Sequence, residues 1–377
     1  MKPAGAVFGG TFVNGIGFRN APNLDLTWYT SKMKNIGLDA DLWNGLLGIS
    51  VDLFQRDRDG LLANPITEAP QTFGTGFSQA NLNGDHTKGF EIELRHYNRV
   101  NKNFNYHITG FVSLTRSMVT KRNQMTYSNS WDNWRNNPLN RYQDIWFAYG
   151  ENGIYHSWDQ ISNSIYANSG SLPGDPIYED WNGDGVIDGD DMHPIATTTN
   201  AGSSWDGKRN YPLMNFALSF GAQYKWFDLN VQFQGAAMSY VSYGEQLIAP
   251  FREDTNALEL LLDRWRPANP DIDPYDPSAQ WISGRFPYGF VRADMNSKFN
   301  IQNGAYVRLK NIELGFTVPK NIVTKKLNVS NLRLFVNAYN LFTITKIVDL
   351  DPEKPTEHNG YMYPLNRVFN FGGTLTF

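Results

Sequence analysis

The chain contains no cysteine, which removes disulfide frameworks, thiolate zinc sites, cysteine nucleophiles and iron–sulfur clusters at one stroke. It lacks a long apolar run as well: no stretch approaches the roughly 18 consecutive apolar residues that a membrane-spanning helix requires. An excess of positive charge is missing. With 33 Lys+Arg scattered against 37 Asp+Glu, there is no basic field for a nucleic acid, which is not an expected partner. The sequence has no Gly-x-Ser-x-Gly elbow, His-Glu-x-x-His, P-loop or Gly-x-Gly-x-x-Gly. Its histidines, His86, His96, His107, His156, His193 and His358, are dispersed without metal-ligand spacing. No enzyme is expected. The start is equally poor in targeting signal, because the short apolar run after Lys2 is broken at Gly9 and Gly10. The protein is expected either to stay inside the cell or to lack its own beginning.

What the sequence does have is period-two alternation. Ile36, Leu38, Ala40 and Leu42 share one face, with Asn35, Gly37, Asp39 and Asp41 on the other, the signature of a half-buried strand. Trp43-Asn44-Gly45-Leu46 then supplies an Asn-Gly hairpin turn into Leu47, Ile49, Val51 and Leu53. Two further hairpins pair Phe90, Ile92 and Leu94 with Phe104, Tyr106, Ile108, Val112 and Leu114, and Phe216 to Tyr224 with Leu229, Val231 and Phe233. Val307 and Leu309 share a face, yet Ile312, Leu314 and Phe316 continue it in the opposite phase. That change of phase predicts a bulge near Lys310-Asn311. Leu332, Leu334, Val336 and Ala338 form another strand, and Phe369, Phe371, Leu375 and Phe377 the last.

The pattern predicts nine strands, near 27–43, 45–57, 86–100, 103–117, 211–226, 228–240, 303–317, 330–344 and 364–377. Connections are short at 44–45, 101–103 and 225–228 but long at 58–85, 118–210, 241–302 and 345–363. Short turns on one side and long loops on the other mark outer-membrane barrels. Aromatics gather at strand ends (Trp28, Tyr29, Trp43, Tyr97, Tyr224, Trp226, Phe227, Tyr306, Phe316), as interfacial girdles do. A soluble sandwich would also alternate, but loops this long are rare in compact sandwiches. The fold class expected is all-β, an antiparallel transmembrane barrel. Because bacterial single-chain barrels use even strand numbers, nine strands predict a C-terminal piece of one.

Several stretches carry a resemblance. Residues 23–39 (Asn-Leu-Asp-Leu-Thr-Trp-Tyr … Asn-Ile-Gly-Leu-Asp), 173–191, 265–270 (Trp-Arg-Pro-Ala-Asn-Pro), 306–319 (Tyr-Val-Arg-Leu-Lys-Asn-Ile-Glu-Leu-Gly-Phe-Thr-Val-Pro), 332–353 through Leu-Asp-Pro-Glu, and the closing Tyr-Pro-Leu-Asn-Arg … Phe resemble, in order and spacing, the SusC/RagA family of TonB-linked outer-membrane transporters. The resemblance implies a slice of a barrel of about 22 strands, without the family's signal sequence, TonB-contacting segment and plug. It also implies an outer-membrane location in the lipid bilayer and no enzymatic step. The function implied is TonB-dependent uptake of oligosaccharides, or of peptides, under a SusD-like surface lipoprotein. The Phe377 terminus resembles the signal read by the outer-membrane assembly machinery.

One motif points to chemistry directly. Asp180, Asn182, Asp184, Val186, Asp188 and Asp191 occupy positions 1, 3, 5, 7, 9 and 12 of an EF-hand-type loop, with Gly185 at the sharp turn. Hard oxygen ligands at that spacing suit Ca²⁺. Pro176 and Pro194 argue against long flanking helices, so the loop resembles the isolated calcium loops of extracellular modules. The bland reading is an Asp/Asn/Gly-rich turn, for such residues dominate turns. Glu91 and Glu93, about 7 Å apart on one strand face, are expected to line a wet channel wall with Arg95 rather than to catalyse. Trp131, Trp134, Trp146, Trp158, Trp181 and Trp205 are expected to pack the loops, with sugar stacking as the functional alternative. Leu258, Leu260, Leu261 and Leu262 predict a short amphipathic helix ahead of Arg264 and Trp265. The competing function is a soluble, calcium-dependent glycan-binding β-protein.

Overall fold

The computed structural model describes residues 2–9, 11–17, 20–66, 72, 74–123, 126–167, 170–197, 212–242, 256–257, 259–288, 296–322, 329–348, 350–353 and 365–377. Its chain falls into two compact units: residues 1–36, 53–89 and 116–143 in one, residues 37–52, 90–115 and 144–377 in the other.

In chain order, β1 (Lys2–Phe8) and β2 (Thr11–Gly17) pair with each other as a two-stranded sheet. Four long strands follow: β3 (Thr30–Leu42), β4 (Leu47–Ala63), β5 (Ala80–Asn101) and β6 (Phe104–Lys121). Short strands β7 (Ile145–Ala148), β8 (Glu151–Ile154), β9 (Pro176–Tyr178) and β10 (His193–Thr197) precede β11 (Met214–Tyr224) and β12 (Phe227–Ala237). Another short set, β13 (Tyr240–Ser242), β14 (Arg266–Pro267), β15 (Trp281–Ile282) and β16 (Ile301–Asn303), leads to β17 (Tyr306–Thr317), β18 (Asn331–Tyr339), β19 (Thr343–Thr345) and β20 (Val368–Thr376). The long strands form one sheet in the order β20-β18-β17-β12-β11-β6-β5-β4-β3, with β19 added on β17.

All nine expected strands are therefore present as neighbours in a meander, and their pairing shows why the alternation was so regular. The register sets Leu218 opposite Phe233, Val231 opposite Ile312, Leu314 opposite Val336, and Val336 opposite Phe371. These residues make one continuous apolar face. Asn230, Glu313, Asn337 and Asn370 stand in one row on the opposite face. The apolar face is uncovered: Phe371 is 83% and Phe369 62% exposed. A sandwich would press a second sheet onto that face, and among the described residues none does so. The sandwich alternative is thereby set aside, and the sheet is of the expected barrel-wall kind, with an apolar side that suits a lipid solvent.

The bulge falls where the phase change put it. Gln232 pairs with Asn311 and Phe233 with Leu309, leaving Lys310 as the extra residue. Across the sheet Asn340 takes a positive φ of 54° and donates its amide to Lys310 O at 3.1 Å. The strand expected over 330–344 is consequently split into β18 and β19 at that level.

Three ends differ from expectation for one reason. β4 runs on to Ala63, β5 begins at Ala80 and β6 reaches Lys121, so the connection expected over 58–85 shrinks to 64–79. Beyond Leu53 the strands are held by charge on both faces instead of apolar alternation. Arg58 pairs with Asp85, Asp57 with His86 at 2.5 Å, and Lys121 with Asp59 at 2.8 Å. The β1–β2 hairpin was not anticipated; Gly9, with φ of 57°, makes the turn that read as a break.

The long connections carry their own cores. Trp146, Ala148 and Ile301 are buried against Ile195, Ala196 and Tyr240. Helix α1 (Ser130–Asn136) is capped by the Asn129 side chain, and α2 (Trp158–Ser162) by Ser157, as short polar residues at an N-cap do. The expected leucine helix is a single 3₁₀ turn, Glu259–Leu262, with Leu261 buried; Leu258 lies outside the described residues. Trp265, 4% exposed, packs over Gly174 (φ of 96°) so closely that any Cβ would collide with the ring. Replacing Gly174 by Ala is expected to cost about 2–4 kcal/mol through clash and backbone strain combined. Faster proteolysis of the 144–197 segment, with unchanged strand content by circular dichroism, is the outcome expected.

Candidate functional site: polar wall and loop network

The polar face is organised by charge-assisted bonds across β12, β17, β18 and β20. Asp228 accepts from Arg333 Nε at 3.1 Å and Nη2 at 2.5 Å, a bidentate fork that fixes the guanidinium plane. The same Nη2 reaches Glu313 Oε1 at 2.7 Å, and Glu313 Oε2 accepts from Asn337 at 3.2 Å. Asn370 Nδ2 donates to Asn337 Oδ1 at 2.9 Å. Glycines make room for this layer. Arg333 lies against Gly315, Phe335 against Gly372, and His107 against Gly221, each where a Cβ would collide. Farther along the sheet, Arg95 sits 3.3 Å from Glu93 and 4.0 Å from Asp41. The expected wet wall with Glu93 and Arg95 on it is what these contacts describe.

A second network sits where β17 begins. Arg308 is only 3% exposed. Its guanidinium donates to Thr343 Oγ1 at 2.9 Å and to Asp351 Oδ1 at 2.5 Å, and lies 2.9 Å from Glu353 Oε2. Lys310 donates to Glu353 Oε1 at 2.6 Å. Burial alone would raise the Asp351 carboxyl, but Arg308 and the Glu353 and Leu365 amides hold it below the usual carboxylate range. Sequence reasoning quoted both halves, Arg-Leu-Lys and Asp-Pro-Glu, without joining them. The available signal was their matching spacing, two cations two residues apart and two anions two residues apart.

The Asp180–Asp191 loop closes on itself as a chain of side-chain-to-backbone bonds. Asp180 accepts from the amides of Gly183 (2.7 Å), Asp184 (3.2 Å) and Gly185 (2.9 Å). Asn182 accepts from Asp184 N at 2.9 Å, Asp184 from Val186 N at 2.8 Å, and Asp188 from Asp190 N at 2.8 Å. Asp191 is fully buried and ties the two ends together, accepting from the amides of Trp181 (2.9 Å), Asn182 (3.3 Å) and Asp188 (2.8 Å). Desolvation would raise the Asp180 carboxyl, but the Gly185 and Gly183 amides, the Tyr166 hydroxyl and the Asp184 amide hold it low. Among the described residues no three acidic or histidine side chains converge as a metal site. The loop's side chains accept from its own backbone amides.

This loop is seated on the strands beneath it. Trp181 stacks on His193 at 3.9 Å, His193 lies 3.8 Å from Glu179, and both His193 and Glu179 crowd Gly150 so that no Cβ would fit. Next to Gly150, burial pushes the Glu151 carboxyl up to about 7, opposed by the Phe299 amide, Lys298 and Ser297. Trp146 donates to Asn296 at 2.7 Å, and Trp131 packs 5.3 Å from Trp134. These tryptophans pack the loops, as expected. Trp181, 44% exposed, keeps much of its surface in solvent. Trp205 and His358 lie outside the described residues.

Comparison with known proteins places this architecture. TonB-dependent receptor P3 of Formosa agariphila is 25% identical over 99% of this chain, which covers 36% of that relative. TonB-dependent receptor SusC of Bacteroides thetaiotaomicron is 23% identical over 94% of the chain and 32% of its own length. The chain thus spans about a third of the curated relatives it matches. A solved structure of the RagAB peptide transporter superposes over the whole chain, and over 38% of its own, with a TM-score of 0.67 at 18% identity, a likeness of fold. The family profile described as TonB dependent receptor-like, beta-barrel matches residues 2–223. That match takes in more than half of the chain, and the chain therefore belongs to this family of outer-membrane β-barrels.

Proposed function

We propose that the chain serves as the C-terminal part of the barrel of a SusC/RagA-type importer that moves oligosaccharides, or peptides, across the outer membrane under TonB control. A SusD-like surface lipoprotein would be the partner that delivers them. The observation that carries this reading is the two-faced wall. One face is apolar and uncovered, while the other is lined by the Asp228–Arg333–Glu313–Asn337–Asn370 network, which suits a water-filled lumen. The fold likeness to a RagAB peptide transporter supports the peptide class, and the oligosaccharide class rests on the SusC-type resemblance of the sequence. Deleting the gene should abolish growth on one of them as sole carbon source and leave glucose growth intact. Unchanged growth on every oligosaccharide and peptide tested would sink the reading.

The second reading concerns calcium at Asp180, Asn182, Asp184, Val186, Asp188 and Asp191. The oxygen set suits a hard cation, and Asp191 already bonds the amides beside Asp180. Asp184 and Asp188 accept the Val186 and Asp190 amides through Oδ1, and an ionised carboxylate can keep such a bond while its second oxygen turns to a cation. Affinity would be about 10⁻⁴–10⁻³ M, that of extracellular modules. Calcium at millimolar level should protect the 126–197 region from protease in the parent, and the pair Asp180→Ala with Asp184→Ala should abolish the protection. Equal cleavage with and without calcium in the parent would leave only the turn.

A further inference from the structure

Two of the long connections are laced together along one short stretch. Tyr149 N donates to Asn296 O at 2.9 Å, and Lys298 N donates to Tyr149 O at 2.9 Å. The Asn296 side chain locks the same seam, accepting from Trp146 Nε1 at 2.7 Å and donating to Phe147 O at 2.6 Å. Ile301 closes it from the apolar side by packing with Trp146 and Ala148. Residues 146–151 and 296–301 thus form one seam within one compact unit, and Glu151 stands at its end.

Glu151 is paired in register with Tyr178 of β9, and its carboxyl faces the turn that carries Ser297, Lys298 and the Phe299 amide. Ser297 is 1% exposed. Both Glu151 Oε1 and Ser297 Oγ are buried without a hydrogen-bond partner among the described residues. A protonated carboxyl suits such a seat, since it is neutral and carries its own O–H donor. An ionised one brings a charge into the seam with an oxygen unsatisfied. The attracting cation, Lys298, is exposed, so water screens it. From β9 comes Glu179, a like charge, 3.8 Å from His193 of β10, and both lie against Gly150 beside Glu151.

We propose that Glu151 is a pH-sensitive clasp, which seals residues 296–301 onto residues 146–151 when protonated and loosens the seam when ionised. The direction follows from where the proton is held. A solvated glutamate loses it near 4.5, whereas burial in the seam raises that point to about 7. Below about pH 4.5 both the closed and the opened seam carry the proton, and the clasp has its full strength. As the pH rises from there towards 7, the opened form sheds its proton first and is favoured progressively. Above about 7 both are ionised, and the seam stays at its weakest.

The test is amide hydrogen exchange of Tyr149 and Lys298, the two residues whose backbone bonds cross the seam, in the full chain in detergent micelles. Parent and Glu151→Gln are compared at the same pH, so that the intrinsic chemical rate cancels. Glutamine keeps the shape of the protonated acid and cannot ionise. The ratio of parent to variant exchange should rise by about tenfold or more between pH 5 and pH 8, each unit of raised pKa being worth tenfold. Glu151→Ala, which takes the acceptor away from the Phe299 amide, should exchange fast at both pH values. A ratio that stays flat from pH 5 to pH 8 would overturn the proposal, because Glu151 would then be a structural residue whose charge is indifferent. If Glu151→Gln does not fold, the parent decides alone. Its exchange, corrected for the rate of an unstructured peptide, should climb from pH 5 and level off above about pH 7, and a flat profile would contradict the clasp. The inference goes beyond the importer reading and is independent of it, since the readout is local opening rather than uptake.

Discussion

Replacing Arg308 by alanine should destabilise the chain by about 3–5 kcal/mol. The side chain is buried at 3% exposure, and its removal strands Asp351 without its guanidinium partner and leaves Glu353 to Lys310 alone. An unpaired carboxylate in that setting costs far more than the ion pair contributes. The loss should concentrate on residues 343–353, because Thr343 is bonded by the same side chain. Early proteolysis in this segment and a lower denaturation midpoint would be the observables. The double variant Arg308→Met, Asp351→Asn should recover most of the loss, since it removes the stranded carboxylate and keeps the Lys310–Glu353 pair. If Arg308→Ala were as stable as the parent, the clasp would be a surface pairing with little energetic weight.

The second large effect is expected at Leu314. It stands opposite Leu229 and Val336 and is 48% exposed, in the middle of the uncovered apolar face. Arginine there would meet hydrocarbon, at a cost of about 2–4 kcal/mol near the midplane. The same replacement one residue away, Glu313→Arg, stays on the polar face and would break only its bonds to Arg333 and Asn337. Folding titrations into bilayers should therefore show the larger loss for Leu314→Arg. Equal losses would mean that the two faces see the same solvent.

Much of the wall was legible because lipid and water impose period two on every strand that separates them. Nine strands, their faces and even the Lys310 bulge followed from counting apolar residues. What escaped the reading has no such period. The extended ends of β4, β5 and β6 are held by Arg58–Asp85 and Lys121–Asp59, pairs that look in sequence like solvated loop. The Arg308–Asp351 clasp joins residues 43 apart through a contact that only the fold reveals. The Trp265–Gly174 contact is likewise set by the packing of two distant loops. The Asp180–Asp191 loop illustrates a different limit. Asp and Asn cap backbone amides and ligate calcium with the same oxygens, so spacing located the turn without deciding its use.

The absence of cysteine makes one measurement unusually clean. Single cysteines placed at Val336, Asn337, Asn370 and Phe371 alternate between the two faces of β18 and β20, and no native thiol competes. With the chain folded into lipid vesicles, a water-soluble maleimide should label the Asn337 and Asn370 positions and leave Val336 and Phe371 unlabelled until detergent is added. Equal labelling at all four positions in vesicles would contradict a membrane-embedded wall with one face to lipid and the other to water.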